Sequence, residues 1–201
     1  RAYQFIFDML VENGVSGDYL EFGCHRGRTF RMALTEARRH AIEDMRFFAF
    51  DSFEGLPNHG SEAADHRLWK AGALSTSLSD FNGLINSHGI YRDRVTAVKG
   101  FCSETLIPEL KADFLERGVR AAFITVDCDL YESAVDVFNF VDHFLTDGTV
   151  LYIDDFFAGY RGNSMRGVGK AFKEFSQRLG QDWEFVQHMT VGWWGRTFVA
   201  S

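Results

Sequence analysis

The chain alternates between short runs of consecutive apolar residues and longer stretches in which apolar residues recur every three or four positions. Residues 3–11 have the helical period, 18–22 form a short apolar run, 29–40 are again helical, and 46–50 read as a strand ending at Asp51. The pattern then predicts a helix over 78–87, a strand over 94–98, a helix over 104–117 and a strand over 121–126. The next helix, 131–145, carries Ala134, Val135, Phe138, Val141 and Leu145 on one face. A strand over 150–153, a helix over 168–179 and a closing strand pair at 183–188 and 193–199, with 190–192 in the turn, complete the chain.

Regular β-α alternation predicts an α/β fold, a parallel sheet with helices on both faces. Ligands of such sheets bind beyond the carboxyl ends of the strands. The polar stretch 52–76 is too long for an ordinary connection, and loops of that length are usually functional. Its part 55–75 is the place for a lid over that edge.

Composition narrows the class. At 201 residues, 46% of them hydrophobic and 21 of them Phe, the chain has the core material for one domain over 1–201. A net charge of -7 with no basic stripe argues against a nucleic-acid partner. No apolar run approaches the ~18 residues of a membrane span, and no signal-peptide pattern is present. The three cysteines, Cys24, Cys102 and Cys128, lack metal-type spacing and fit a reducing, cytoplasmic setting as small packing residues.

The chemistry gathers where strands end. Asp127 and Asp129 follow one hydrophobic run, and Asp154 and Asp155 follow the next. If those strands are neighbours, the carboxylates converge, and like charges that close raise each other's pKa unless a divalent cation lies between them. Asp129 has a second reading, because Asp129-Leu130-Tyr131-Glu132 matches a helix capping box. Asp154 and Asp155 could instead be a strand-ending pair bound by loop N–H groups. In DYLEFGCHRGRTF, Glu21 ends the first strand, and Gly23 and Gly27 bracket a tight loop before a helix N-terminus. Asp51, thirty residues on, stands where an acid accepts hydrogen bonds from a ribose diol, or else simply begins the loop. His25, His59 and His66 lie in loops near this edge, and Trp193-Trp194 reads as core and edge packing.

Taken in order, DYLEFGCHRG, FFAFDSFEGLP, VTAVKGFCSETL, ITVDCDLYES and VLYIDDFFAG resemble the macrocin O-methyltransferase-like family of S-adenosylmethionine-dependent enzymes, over nearly the whole chain. The resemblance implies a Rossmann-like class I methyltransferase fold, with seven strands and a reversed final strand. It implies that Glu21, Phe22, Gly23, Cys24, Arg26 and Gly27 lie along the methionine portion of S-adenosylmethionine. Asp51, with Ser52 and Phe53, would hold the ribose and adenosine, and Gly100, Phe101 and Ser103 would line the adenine end. Asp127, Asp154 and Asp155 match the family's magnesium ligands. The implied reaction is methylation of a small-molecule hydroxyl, such as one on a natural-product sugar, by a Mg-assisted enzyme that is compatible with a homo-oligomer. Asp127 would then serve both the metal and catalysis, with Asp129 as general base and His25 behind it.

Two departures stand out. Arg26-Gly27-Arg28 replaces the family's Arg-Gly-Gly, and residues 58–72 offer nothing that names an acceptor. Two other functions stay open: a nucleotide-binding Rossmann oxidoreductase, and a cofactor-binding subunit without catalysis.

Overall fold

A computed structural model describes residues 1–58 and 69–201; His59, His66 and the corresponding part of the expected lid lie outside the described residues. The strands β1 (Asp18–Phe22), β2 (Phe47–Asp51), β3 (Val95–Lys99), β4 (Ala121–Val126), β5 (Leu145–Ile153), β6 (Phe185–Val191) and β7 (Gly195–Ala200) make one sheet in the order β3-β2-β1-β4-β5-β7-β6. The first five are parallel, and β7 runs antiparallel to both β5 and β6. The last strand is therefore reversed, as expected. The chain order turns back between β1 and β4, and such a switch point opens a crevice above the strand ends.

Neighbouring residues in the inner strands face opposite sides of the sheet. Tyr19, Phe47 and Phe123 join a core with α1 (Ala2–Glu12) and α2 (Arg28–Arg39), through Phe7, Phe30 and Leu34. Leu20, Phe48 and Ile124 join the opposite core. Its helices include α5 (Pro108–Glu116), α6 (Tyr131–Val141) and α7 (Gly167–Leu179), where Phe138 stacks on Phe175 at 4.9 Å and Phe172 on Phe198 at 4.2 Å. Phenylalanine on both faces accounts for the aromatic composition. On the first face, α3 (Leu78–His88) begins at Ser77, whose Oγ accepts from the N–H of Asp80 at 3.1 Å.

Three boundaries differ from the pattern. The helix expected over 104–117 is two, α4 (Cys102–Thr105) and α5, because Pro108 supplies no N–H and starts a new helix at its first turn. The helix expected over 131–145 stops at Val141, and Leu145 opens a longer β5 that passes through Gly148 at φ +87°. The final hairpin turns at 192–194 instead of 190–192, around Gly192 at φ +60°.

Candidate active site

The carboxyl ends of β1, β2, β4 and β5 supply the acids. Gly23 is the pivot: at φ +84° it lies so close to β4 that a Cβ would be driven into the carbonyl oxygen of Asp127. Only glycine fits both that angle and that approach. His25, Phe53 and Asp129 also hold positive φ, at +39°, +54° and +62°. Strained residues concentrate at functional sites, and three of them meet at this edge.

Glu21 is wholly buried, and the structure gives it a network of hydroxyls. Thr29 Oγ1 donates to Oε1 at 2.7 Å, and the Tyr19 phenol donates to Oε2. Tyr19 in turn bonds Thr125 at 3.0 Å, which Tyr3 also reaches at 3.0 Å. Burial pushes the Glu21 carboxyl up to about 8, with further upward pressure from Asp51 and Asp154, while the Tyr19 and Thr29 bonds act the other way.

Asp51 ties the glycine loop to its own strand end. Oδ2 accepts from the N–H groups of Cys24 at 2.7 Å and His25 at 3.0 Å, and Oδ1 accepts from Phe53 N–H at 2.7 Å. The turn role is thus present. A carboxylate has about four acceptor positions, so a further donor such as a ribose hydroxyl can still be taken. Ser52 Oγ is committed to the same turn, donating to Gly55 O at 2.7 Å.

Asp127, Asp154 and Asp155 each offer an oxygen, and the three oxygens lie within 4.8 Å of one another. Burial, then Asp154, Asp155, Asp129 and Glu21, raise Asp127 far above the carboxylate range. Burial, then Asp129 and Asp154, do the same to Asp155. Its Oδ2 is buried with no hydrogen-bond partner among the described residues. Asp129 accepts from Trp69 Nε1 at 2.7 Å, and burial raises it to about 6 against that bond.

The capping expectation for Asp129 is corrected. Leu130 is the N-cap residue of α6 and no side chain caps it. Asp129 is in the left-handed region with its carboxylate turned to Trp69, an arrangement a local sequence pattern does not encode. The reading of Trp193-Trp194 as packing is corrected too. Trp193 is 67% exposed, and Trp194 Nε1 donates to Asp154 Oδ1 at 3.1 Å.

Two cavities meet at these acids. One, of about 210 Å³, runs over Gly23, Asp51, Ser52, Gly100 and Phe101. The other, of about 830 Å³, runs past Tyr3, Arg26, Met32, Trp69 and the Trp193-Trp194 corner. His25, Asp127, Asp129, Asp154 and Asp155 border both. Cys24 borders the second cavity but is buried, its Sγ turned to the carbonyls of Glu21 and Phe50 at 3.6 and 3.7 Å. Other predicted residues serve the scaffold. Phe22 stacks on Phe50 in the core at 4.5 Å, Phe53 packs on Phe81 at 5.3 Å, and Gly27 caps α2 in the left-handed conformation. Ser103 is exposed, and Cys102, Thr105 and Leu106 line the first cavity beside Phe101 instead. Among the described residues no disulfide forms and no helix is long and apolar enough to cross a membrane.

The family model for Macrocin-O-methyltransferase (TylF) matches residues 2–195. An 8-demethyl-8-(2,3-dimethoxy-alpha-L-rhamnosyl)-tetracenomycin-C 4'-O-methyltransferase of Streptomyces olivaceus is 30% identical over 158 residues, which is 76% of this chain. The match spans only 58% of that relative's length. The mycinamicin III 3''-O-methyltransferase of Micromonospora griseorubida is 26% identical over 202 residues, covering 96% of this chain and 74% of the relative. Among solved structures, the O-methyltransferase NovP superposes with a TM-score of 0.78 at 20% identity, over 98% of this chain and 77% of that one. An O-methyltransferase from Bacillus cereus in complex with SAH gives 0.60 at 13% identity, over 99% and 80%. At these identities the structural likeness is one of fold.

Proposed function

The chain belongs to the macrocin O-methyltransferase family, and from that premise we propose that it transfers the methyl group of S-adenosylmethionine to a hydroxyl of a small glycosylated molecule, with magnesium at the acidic cluster. The observation that carries the reading is the pair of cavities sharing one wall of carboxylates. A two-substrate transfer needs two sites meeting at the reacting atoms, and relatives named as O-methyltransferases of a rhamnosyl-tetracenomycin and of mycinamicin III make a sugar hydroxyl the natural acceptor.

The residues fit both absent groups. A hard divalent cation takes carboxylate oxygens, and Asp127, Asp154 and Asp155 offer three that otherwise repel, one of them with the buried unpartnered Oδ2 of Asp155 nearby. The first cavity has the glycines and the strand-end acid that a nucleoside requires, in a lining that includes Gly23, Asp51, Gly100 and Phe101. When bound, S-adenosylmethionine supplies a sulfonium methyl that leaves as a cation equivalent, and magnesium supplies a Lewis acid that lowers the pKa of a hydroxyl.

The protein's own part is mostly placement. Asp51 braces the glycine loop and takes a ribose donor at its remaining acceptor position. Asp129 borders both cavities, and with its pKa raised to about 6 it is ionised at neutral pH. It would take the proton that the acceptor hydroxyl loses on methylation. Trp69 holds its carboxylate in place from the loop side. His25 Nδ1 lies 2.6 Å from the carbonyl oxygen of Leu74, which anchors the ring in the wall of both cavities.

Asp154→Ala tests the reading. Turnover on a panel of deoxysugar glycosides should fall by at least ~10³-fold, while S-adenosylhomocysteine binds as to the wild type. Wild-type turnover in that variant refutes the metal role.

A further inference from the structure

Asp154 is fixed by two side chains that the proposed reaction does not use. Tyr152, two residues earlier on β5 and buried, donates its phenol to Asp154 Oδ1. Trp194, the last residue of the turn before β7, donates its indole N–H to the same oxygen at 3.1 Å. An indole nitrogen is only a donor, so it addresses a lone pair of Oδ1. Both donors are spent on one oxygen, and Oδ2 receives neither.

The β6–β7 turn is shaped to bring the indole there. At Gly192 a Cβ would stand 2.7 Å from the six-membered ring of Trp194. At Gly195 it would stand 2.8 Å from the ring of Tyr152 and 3.1 Å from its hydroxyl. The two glycines flanking Trp193-Trp194 thus clear space for the two donors. A backbone bond from Phe157 N–H to Trp194 O, at 3.0 Å, fastens the turn to the loop that follows Asp155. Such precision is not needed for packing an edge hairpin whose neighbour Trp193 stands in solvent.

We propose that Tyr152 and Trp194 are positioning residues for a divalent cation: by holding Asp154 through Oδ1 they present Oδ2 to the ion. The inference rests on the magnesium reading above. Donors behind a ligating carboxylate fix its orientation, and losing one typically weakens metal binding 10–100-fold. The arrangement also makes the reversed hairpin part of the cation site, since the indole reaches the acid that follows β5 from across the β5–β7 pairing.

The test uses Trp194→Phe and Tyr152→Phe, each of which removes one donor and keeps an aromatic ring. Magnesium is titrated calorimetrically into wild type and variants saturated with S-adenosylhomocysteine, and the affinity for S-adenosylhomocysteine is measured in EDTA. The expected result is magnesium affinity at least ~10-fold weaker in each variant, with S-adenosylhomocysteine affinity unchanged. Wild-type magnesium affinity in both variants overturns the proposal. So does a parallel loss of S-adenosylhomocysteine affinity, which marks a merely structural role. Should Trp194→Phe fail to fold, Tyr152→Phe, which loses a single oxygen, decides alone. If the wild type binds S-adenosylhomocysteine but no magnesium, the metal reading falls and this inference with it.

Discussion

Neutralising one acid of the cluster should make the cation-free protein more stable while removing its response to magnesium. Asp127→Asn is the cleanest such change, because it keeps the shape of the side chain. In the wild type, Asp127, Asp154 and Asp155 present oxygens within 4.8 Å of one another. Two unit charges at that separation repel by about 3.5 kcal/mol at an effective dielectric of ~20. Uptake of a proton limits the cost, so a gain of about 2 kcal/mol for the variant is a fair expectation at pH 8. For a chain of this length that is a rise of ~4–8 °C in Tm. The sign follows from linkage. Asp127 and Asp155 are raised in the folded state, so their contribution is complete below the unfolded carboxylate range and is lost as pH rises. The advantage of the variant should therefore shrink at pH 5. Magnesium should reverse the order, because an ion at ~100 times its Kd adds about 2.7 kcal/mol to the wild type alone. The assay is thermal denaturation of both proteins at pH 5 and 8, in EDTA and in magnesium. Equal or lower stability of Asp127→Asn at pH 8 in EDTA would refute the electrostatic argument.

Two further outcomes follow from the same edge. Gly23→Ala must push β1 away from the Asp127 carbonyl at a backbone angle alanine disfavours, so it should lose roughly 3 kcal/mol or more; a variant that melts within 2 °C of wild type contradicts the assigned close approach. Glu21, raised by burial to about 8, stays protonated in the folded protein while the unfolded chain ionises from about 4.5 upward. Its contribution thus declines between those values, and Glu21→Gln should gain on the wild type steadily as pH rises from ~5 to ~8; a pH-independent difference in Tm would show that Glu21 is already ionised.

The strand ends are readable because hydrophobic runs stop at acids: Asp51 ends β2, Asp127 and Asp154 directly follow β4 and β5, and Glu21 stands one residue before the end of β1. Periodicity is a local signal, and these residues are positioned by local structure together with the parallel pairing that β-α alternation demands. What escaped depends on contacts far apart in sequence. Trp194 reaches Asp154 only because β7 returns antiparallel to β5 with Ile153 opposite Arg196. Trp69 meets Asp129 from across sixty residues, and that contact turns a plausible capping box into a residue with φ +62°. Asp51 was legible by place but not by partners, since its bonds to Cys24 and His25 depend on how β1 and β2 align. Ser103 is exposed on a four-residue helix that is separate from the one Pro108 begins.

On the proposed reading the first cavity takes S-adenosylmethionine and the acidic cluster takes a cation independently of it. Calorimetric titration of the wild type with S-adenosylhomocysteine in EDTA tests it most directly, with the titration repeated in magnesium. Saturable one-to-one binding without metal is expected, because Gly23, Asp51, Gly100 and Phe101 already line the cavity, together with a separate magnesium isotherm on that complex. A protein that binds a nicotinamide dinucleotide but not S-adenosylhomocysteine would contradict it.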